Sequence, residues 1–269
     1  MFTKLLSTFG IGSAKVDTKL EHSAYMPGDE IRGEAFVVGG SLAQEVTDIY
    51  IKVNTFYLKK IPHRHRKSYY HYKKYKKVNL TLAKYKIAPT FKIEPKETRS
   101  FPFTIKLPID TPLSLFDQPI WIQTGLNIDY ALDPKDNDTI DVTPLPIMQN
   151  VFTALQTLGF SLNSAKCEHN YSLSGKYPFV QEIEFKVTNS SQYKGKAYNI
   201  GVYFWINAVD NIEVILEVAK NESGLVGILK TAFNLNEHKT HFQATATDLE
   251  QPPEYWTNLL TDTINKALI

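Results

Sequence analysis

The chain has 269 residues, 43% apolar and 22% charged, with 15 Tyr and 15 Phe; it is long enough for two cored domains and too hydrophobic for a disordered protein. Its single cysteine, Cys167, excludes an intramolecular disulfide and is consistent with a reducing compartment. The net charge of +2 conceals an asymmetry: residues 49–93 hold 13 Lys or Arg and no Asp or Glu, so the remainder is net negative.

At the N-terminus Phe2, Leu5, Leu6 and Phe9 recur at helical spacing. This apolar stretch is too short for a signal peptide, and no run of about 18 apolar residues offers a bilayer span, so a cytoplasmic location is expected. From Ala14 the pattern changes to alternation, with Val16, Thr18 and Leu20 on one side and Lys15, Asp17 and Lys19 on the other. Tyr25-Met-Pro-Gly-Asp-Glu reads as a turn. Strands are predicted over 31–38 and 48–58, then over 78–87, 101–107 and 120–131, ending with Thr139-Ile-Asp-Val. Strands in quick succession without helices between them indicate antiparallel sheets. Pro144 and Pro146 break the pattern, and Ile147, Val151, Ala154, Leu155 and Leu158 then give a helix stopped by Gly159. Further strands are predicted over 182–187, 198–209, 212–219 and 240–247. Pro252-Pro253 opens a last helix whose stripe is Trp256, Leu259, Leu260, Ile264 and Leu268. Both terminal stripes have two uses open to them: docking on the protein's own sheets, or a membrane or oligomer contact.

Five stretches carry a resemblance. Pro27-Gly28-Asp29-Glu30-Ile31-Arg32-Gly33-Glu34, Gly39-Gly40 and Asp48-Ile49-Tyr50-Ile51 are similar to the N-terminal sandwich of arrestin-like proteins. More narrowly, Gly10-Ile-Gly-Ser-Ala-Lys-Val-Asp-Thr18 and Ile120-Trp-Ile-Gln-Thr-Gly-Leu-Asn-Ile-Asp129, continuing to Asp133-Pro134, resemble the sporulation-control proteins of the arrestin clan. The likeness runs over roughly residues 1–165. It implies two arrestin-like sandwiches, a soluble regulatory or scaffolding role and no catalytic centre, and it transfers no functional residue. The basic segment is longer and more uniformly charged than this resemblance leads one to expect.

That segment is the main candidate site. Lys59, Lys60, Arg64, Arg66, Lys67, Lys73, Lys74, Lys76 and Lys77 are interleaved with Tyr57, Tyr69, Tyr70, Tyr72 and Tyr75. A hairpin here would project a positive field able to displace counterions from phosphate-bearing partners, its Tyr rings free to stack on bases or lie at a membrane surface. The plain alternative is Lys protecting an exposed edge strand from aggregation. His63, His65 and His71 lie among these cations without a carboxylate nearby, which argues against a metal. Asp129, Asp133, Asp136, Asp138 and Asp141 surround a turn; they lack the Gly and Glu of an EF-hand loop, and turn formation explains them more simply than calcium does. Cys167 and His169 would share a strand face, but no oxyanion-hole, phosphate-loop or dinucleotide pattern accompanies them.

The expectation is therefore an all-β protein of two arrestin-like antiparallel β-sandwiches in tandem, over 1–145 and 146–248, with a C-terminal amphipathic helix over 252–269. A non-enzymatic adaptor or regulator without cofactor or metal is expected. Its working surfaces would be the basic hairpin, through Tyr69, Tyr72, Tyr75 and the nine cations, and open sheet edges that accept a partner strand. Protein partners are expected, with contact to an anionic membrane as an addition and nucleic acid as the alternative; oligomerisation stays open.

Overall fold

The computed structural model describes residues 13–61, 75–128, 134–170, 176–220 and 239–269. The chain divides into two compact units, unit 1 from Met1–Thr55, Thr81–Pro108 and Pro119–Val142, and unit 2 from Phe56–Leu80, Ile109–Gln118 and Thr143–Ile269. The described residues form the expected antiparallel β architecture with a C-terminal helix.

Unit 1 is two packed sheets. In the first, β3 (Glu30–Val38) lies between β1 (Lys15–Leu20) and β7 (Thr98–Lys106), both antiparallel to it. The second places β8 (Ile120–Ile128) between β4 (Gln44–Lys60) and β9 (Lys135–Val142). Two short strands complete it, β2 (Ala24–Tyr25) along β9 and β6 (Phe91–Ile93) along β4; β5 (Tyr75–Ala88) also pairs with β4. The alternation anticipated in β1 faces Val16 and Thr18 inward, and the Thr18 hydroxyl donates to Thr124 Oγ1 at 2.7 Å in the interior. Ile31, Ala35 and Val37 contribute from the first sheet, and Ile49, Ile51, Val53, Ile122 and Leu126 from the second, each fully buried. Tyr50 lies directly opposite Gly125, where a side chain on Gly125 would meet the ring 2.3 Å away.

Unit 2 is built on one antiparallel ladder in chain order: β10 (Phe160–His169), β11 (Phe179–Val187), β12 (Asn199–Ala208), β13 (Asn211–Ala219) and β14 (Lys239–Thr245). Leu58, on the part of β4 that belongs to this unit, adds to β10 by a parallel pairing with Glu168. The strand β10 was not legible in the sequence, because a bulge between Leu162 and Ser164 breaks its alternation.

One face of this ladder is covered by helices. The helix α1 (Pro146–Thr157) begins on Pro146, whose missing N–H costs nothing at that position, and ends at Gly159, where φ of +83° suits glycine. It lays Phe152 against Phe185 of β11 and Phe204 of β12. After the one-turn α2 (Ala246–Leu249), closed by a Thr245–Asp248 capping box, α3 (Pro253–Leu268) packs on α1, β13 and β14. Its buried line is Trp256, Leu260, Thr263, Ile264 and Ala267, so the expected stripe is rotated slightly, with Leu259 and Leu268 half-buried at its edge. The C-terminal stripe thus docks on the protein's own sheet; the N-terminal one lies outside the described residues. None of the described helices is long and apolar enough to cross a membrane.

Candidate functional site

The two arms of the basic hairpin are β4, running to Lys60, and β5, starting at Tyr75, so regular strand reaches further into the cationic segment than predicted. Lys59, Lys60, Tyr75, Lys76 and Lys77 are placed on these arms at the hairpin base. Arg64, Arg66, Lys67, Tyr69, Tyr72, Lys73 and Lys74 lie outside the described residues, as do His63, His65, His71 and Tyr70. At the base Lys60, Tyr75, Lys76 and Lys77 are exposed and Lys59 is half-buried. Alternation sends successive side chains to opposite faces, so each arm shows cations on both sides.

Aromatic rings support this base. The Lys77 ammonium sits 4.3 Å from the ring centroid of Phe56. Tyr57 packs on His169 at 5.6 Å and stacks on Phe179 at 5.9 Å, and Phe179 stacks in turn on Tyr177 at 5.8 Å, beneath the Lys176 ammonium. Burial, and then the Lys59 charge, holds the His169 imidazole below its ordinary range. The sequence marked Tyr57 as part of the basic segment but gave no sign that Phe179 and Tyr177, more than 100 residues away, would continue the row.

On the face of the ladder opposite the helices lies a group of charges that the sequence did not single out. The half-buried Lys166 pairs through Nζ with Oε1 of the buried Glu168 at 2.9 Å, and Glu182, directly opposite Lys166, and Glu217 are buried as well. Burial pushes the Glu182 carboxyl up to about 7; Lys166 opposes that shift and Glu168 adds to it. Burial works against the Lys166 ammonium, yet its bond to Glu168 and the Glu182 charge hold it above its ordinary range. Periodicity records only the side of a sheet a residue is on, not whether that side is covered, so the burial of Glu182 had no local signal. Beside this group, burial and then the Glu168 charge raise the Tyr75 hydroxyl, which places the hairpin base next to the carboxylates.

Gln118 is the polar anchor of this region. Buried, it donates from Nε2 to the Phe56 carbonyl at 2.8 Å and accepts from the Cys167 amide at 3.3 Å, tying the segment before β8 to β4 and β10. Cys167 is itself buried, which pushes its thiol well up. That chemistry is the opposite of what a nucleophilic cysteine needs.

The acidic turn belongs to unit 1. Asp136 Oδ2 accepts from the Thr18 amide at 2.8 Å. Burial, followed by the charges of Asp136 and Asp17, raises Asp138 to about 7. Asp141 is exposed at the end of β9, and Asp129 and Asp133 lie outside the described residues. Among the described residues no group of three His, Cys, Asp or Glu side chains could hold a metal ion.

Comparison with known proteins gives this arrangement its lineage. A family model described as SpoOM protein matches residues 2–222. The sporulation-control protein spo0M of Bacillus subtilis (strain 168) is 35% identical over 254 residues, which is 94% of this chain and 93% of that protein. The crystal structure of Spo0M, sporulation control protein, from Bacillus subtilis superposes with a TM-score of 0.84 at 32% identity, covering 96% of this chain and 100% of that one. The chain belongs to the Spo0M family.

Proposed function

We propose that this chain is a non-enzymatic cytoplasmic regulator acting in sporulation control, the process named for its Bacillus subtilis relative, and that it works as an adaptor through protein–protein contacts. The observation that carries the proposal is the hairpin base: Lys59, Lys60, Lys76 and Lys77 crowd two paired arms that carry no acid from Ile49 to Lys60 or from Tyr75 to Ala88, over a floor of Phe56, Tyr57 and Phe179. Cations held on rigid strands above aromatic rings offer an acidic partner a preorganised surface, and electrostatic steering speeds its arrival. Edge protection needs two or three lysines, fewer than the nine basic residues from Lys59 to Lys77. The same surface would add attraction to an anionic membrane of ~1 kcal/mol per cation near the headgroups.

The test compares the intact protein with one carrying Lys59→Glu, Lys60→Glu, Lys76→Glu and Lys77→Glu. Crosslinking in cells followed by mass spectrometry should show partners lost from the reversed chain, and sedimentation with phosphatidylserine vesicles should fall at low salt. Identical crosslink patterns would refute the hairpin's role. A DNA gel shift that is steep in salt and abolished by the reversal would replace the adaptor reading with nucleic-acid binding.

A further inference from the structure

The ladder of unit 2 is not closed along its whole length. β11 and β12 pair only through Ile183–Lys186 with Asn199–Val202. Over the same stretch their outer neighbours hold: β10 stays on β11 as far as Phe179, and β13 stays on β12 as far as Ala208. The first four residues of β11 and the second half of β12 therefore diverge while each remains anchored on its far side.

A cavity of about 200 Å³ occupies the wedge. Its lining comes from both faces of the sheet: Phe179, Gln181 and Ile183 from the helix-covered face, Val180, Tyr203 and Trp205 from the other. Only an opening in the plane of the sheet is lined in this way. The wedge is braced rather than loose. The Gln181 side chain donates to the Leu113 carbonyl and accepts from the Leu113 amide, both at 2.8 Å, and Met148 of α1 closes the bottom.

We propose that this wedge receives an extended segment of a partner protein as an additional strand, its successive side chains alternating into the two sides of the cavity, apolar anchors on at least one of them, and its acidic flank reaching the hairpin base. This rests on the adaptor reading above and names the chemistry of the partner. Three features select the occupant. Strand backbones alternate the side on which they offer N–H and C=O, so every second residue of 179–182 presents these groups to the gap, a geometry matched by another strand. The volume is below the ~300–1,000 Å³ of small-molecule sites, yet it is lined by aromatic and aliphatic side chains suited to apolar anchors. The open end of the wedge lies at Phe179, whose ring stacks on Tyr57 beside Lys59, so a segment leaving there passes from apolar walls to cations. Charge complementarity then asks for Asp or Glu next to the strand.

The probes are the labelled peptides Val-Thr-Val-Thr-Val-Glu-Glu-Glu and Glu-Glu-Glu-Val-Thr-Val-Thr-Val, which place the acids at either end, with the full chain as receptor. Anisotropy should show saturable binding of one of them. Replacing both Thr by Pro, which removes N–H groups but keeps apolar bulk, should weaken it at least about tenfold. Hydrogen exchange should show the Phe179 and Gln181 amides, which face the gap, slowing on binding, and Ile206→Lys, at the wall of the wedge, should abolish binding while the unfolding midpoint confirms an intact fold. No binding by either peptide, equal binding by the Pro version, or protection confined to other strands would each overturn the proposal. The four-Glu hairpin variant separates the two readings. If it loses its crosslinked partners while the natural chain binds neither peptide, the wedge falls and the hairpin stands; if its partners are unchanged while the natural chain binds as described, the hairpin falls and the wedge stands.

Discussion

Glu182 allows a quantitative test of how unit 2 is held together. Its carboxyl is buried beside Lys166 and Glu168 and is raised from an ordinary 4.5 to about 7. A raised acid holds its proton in the folded chain at pH values where the unfolded chain has released it. Below about pH 4.5 both states are protonated and there is no penalty; between 4.5 and 7 the folded state is progressively disfavoured; above 7 the cost is constant. Each pH unit corresponds to ~1.4 kcal/mol, so Glu182 should lower stability by about 3 kcal/mol across that window. Glu182→Gln keeps the shape and removes the titration. Urea unfolding followed by Trp205 and Trp256, both in unit 2, should be compared at pH 4.5 and 7.5, with Trp121→Phe in both chains to silence the tryptophan of unit 1. The natural chain should lose about 3 kcal/mol more than the Gln variant over this range. Parallel losses within ~0.5 kcal/mol would mean that water reaches the carboxylate freely and that burial does not govern it.

Other expectations follow from the same geometry. Gln118→Leu should destabilise unit 2 by ~2–4 kcal/mol in calorimetry, because it deprives the Phe56 carbonyl and the Cys167 amide of their shared partner in the interior. Gly125→Val should destabilise unit 1 by ~1–3 kcal/mol, since a Cβ there lands 2.3 Å from the Tyr50 ring, and adding Tyr50→Ala should recover part of the loss. Cys167 should resist a thiol reagent in the folded protein and react fully in urea, as a buried thiol with a raised pKa must.

Much of the strand map was legible because burial on one side of a sheet leaves a period of two. Val16 and Thr18 of β1, and the inward Ile49, Ile51 and Val53 of β4, followed that rule. Helix α1 was marked by Pro146 and Gly159, and α3 by Pro252-Pro253. Where the rule needs unbroken alternation it failed: the bulge after Leu162 hid β10, and two- and three-residue strands such as β2 and β6 are too short to show a period. Sites made by remote residues were illegible for a different reason. The stacking of Tyr57 on Phe179 and the clasp of Gln181 on Leu113 join residues far apart in sequence, and nothing local to either member marks the other. The cationic run was visible as composition, but its aromatic floor emerged only from the pairing of β4 with β10.

The interleaving of the two units has a consequence for biosynthesis and for fragment design. Every residue of unit 1 has been synthesised by Val142, whereas unit 2 gathers Phe56–Leu80, Ile109–Gln118 and the chain from Thr143 onward. On the ribosome, Gln118 must wait for Cys167, and Leu113 for Gln181, so early portions of unit 2 leave the exit tunnel well before the strands that receive them. Such long-range closure slows folding relative to a contiguous domain. For the same reason, a recombinant piece starting at Thr143 would omit the clasp, the buried glutamine and both hairpin arms, leaving the Gln181 amide and the Cys167 backbone N–H without the groups that satisfy them in the full chain.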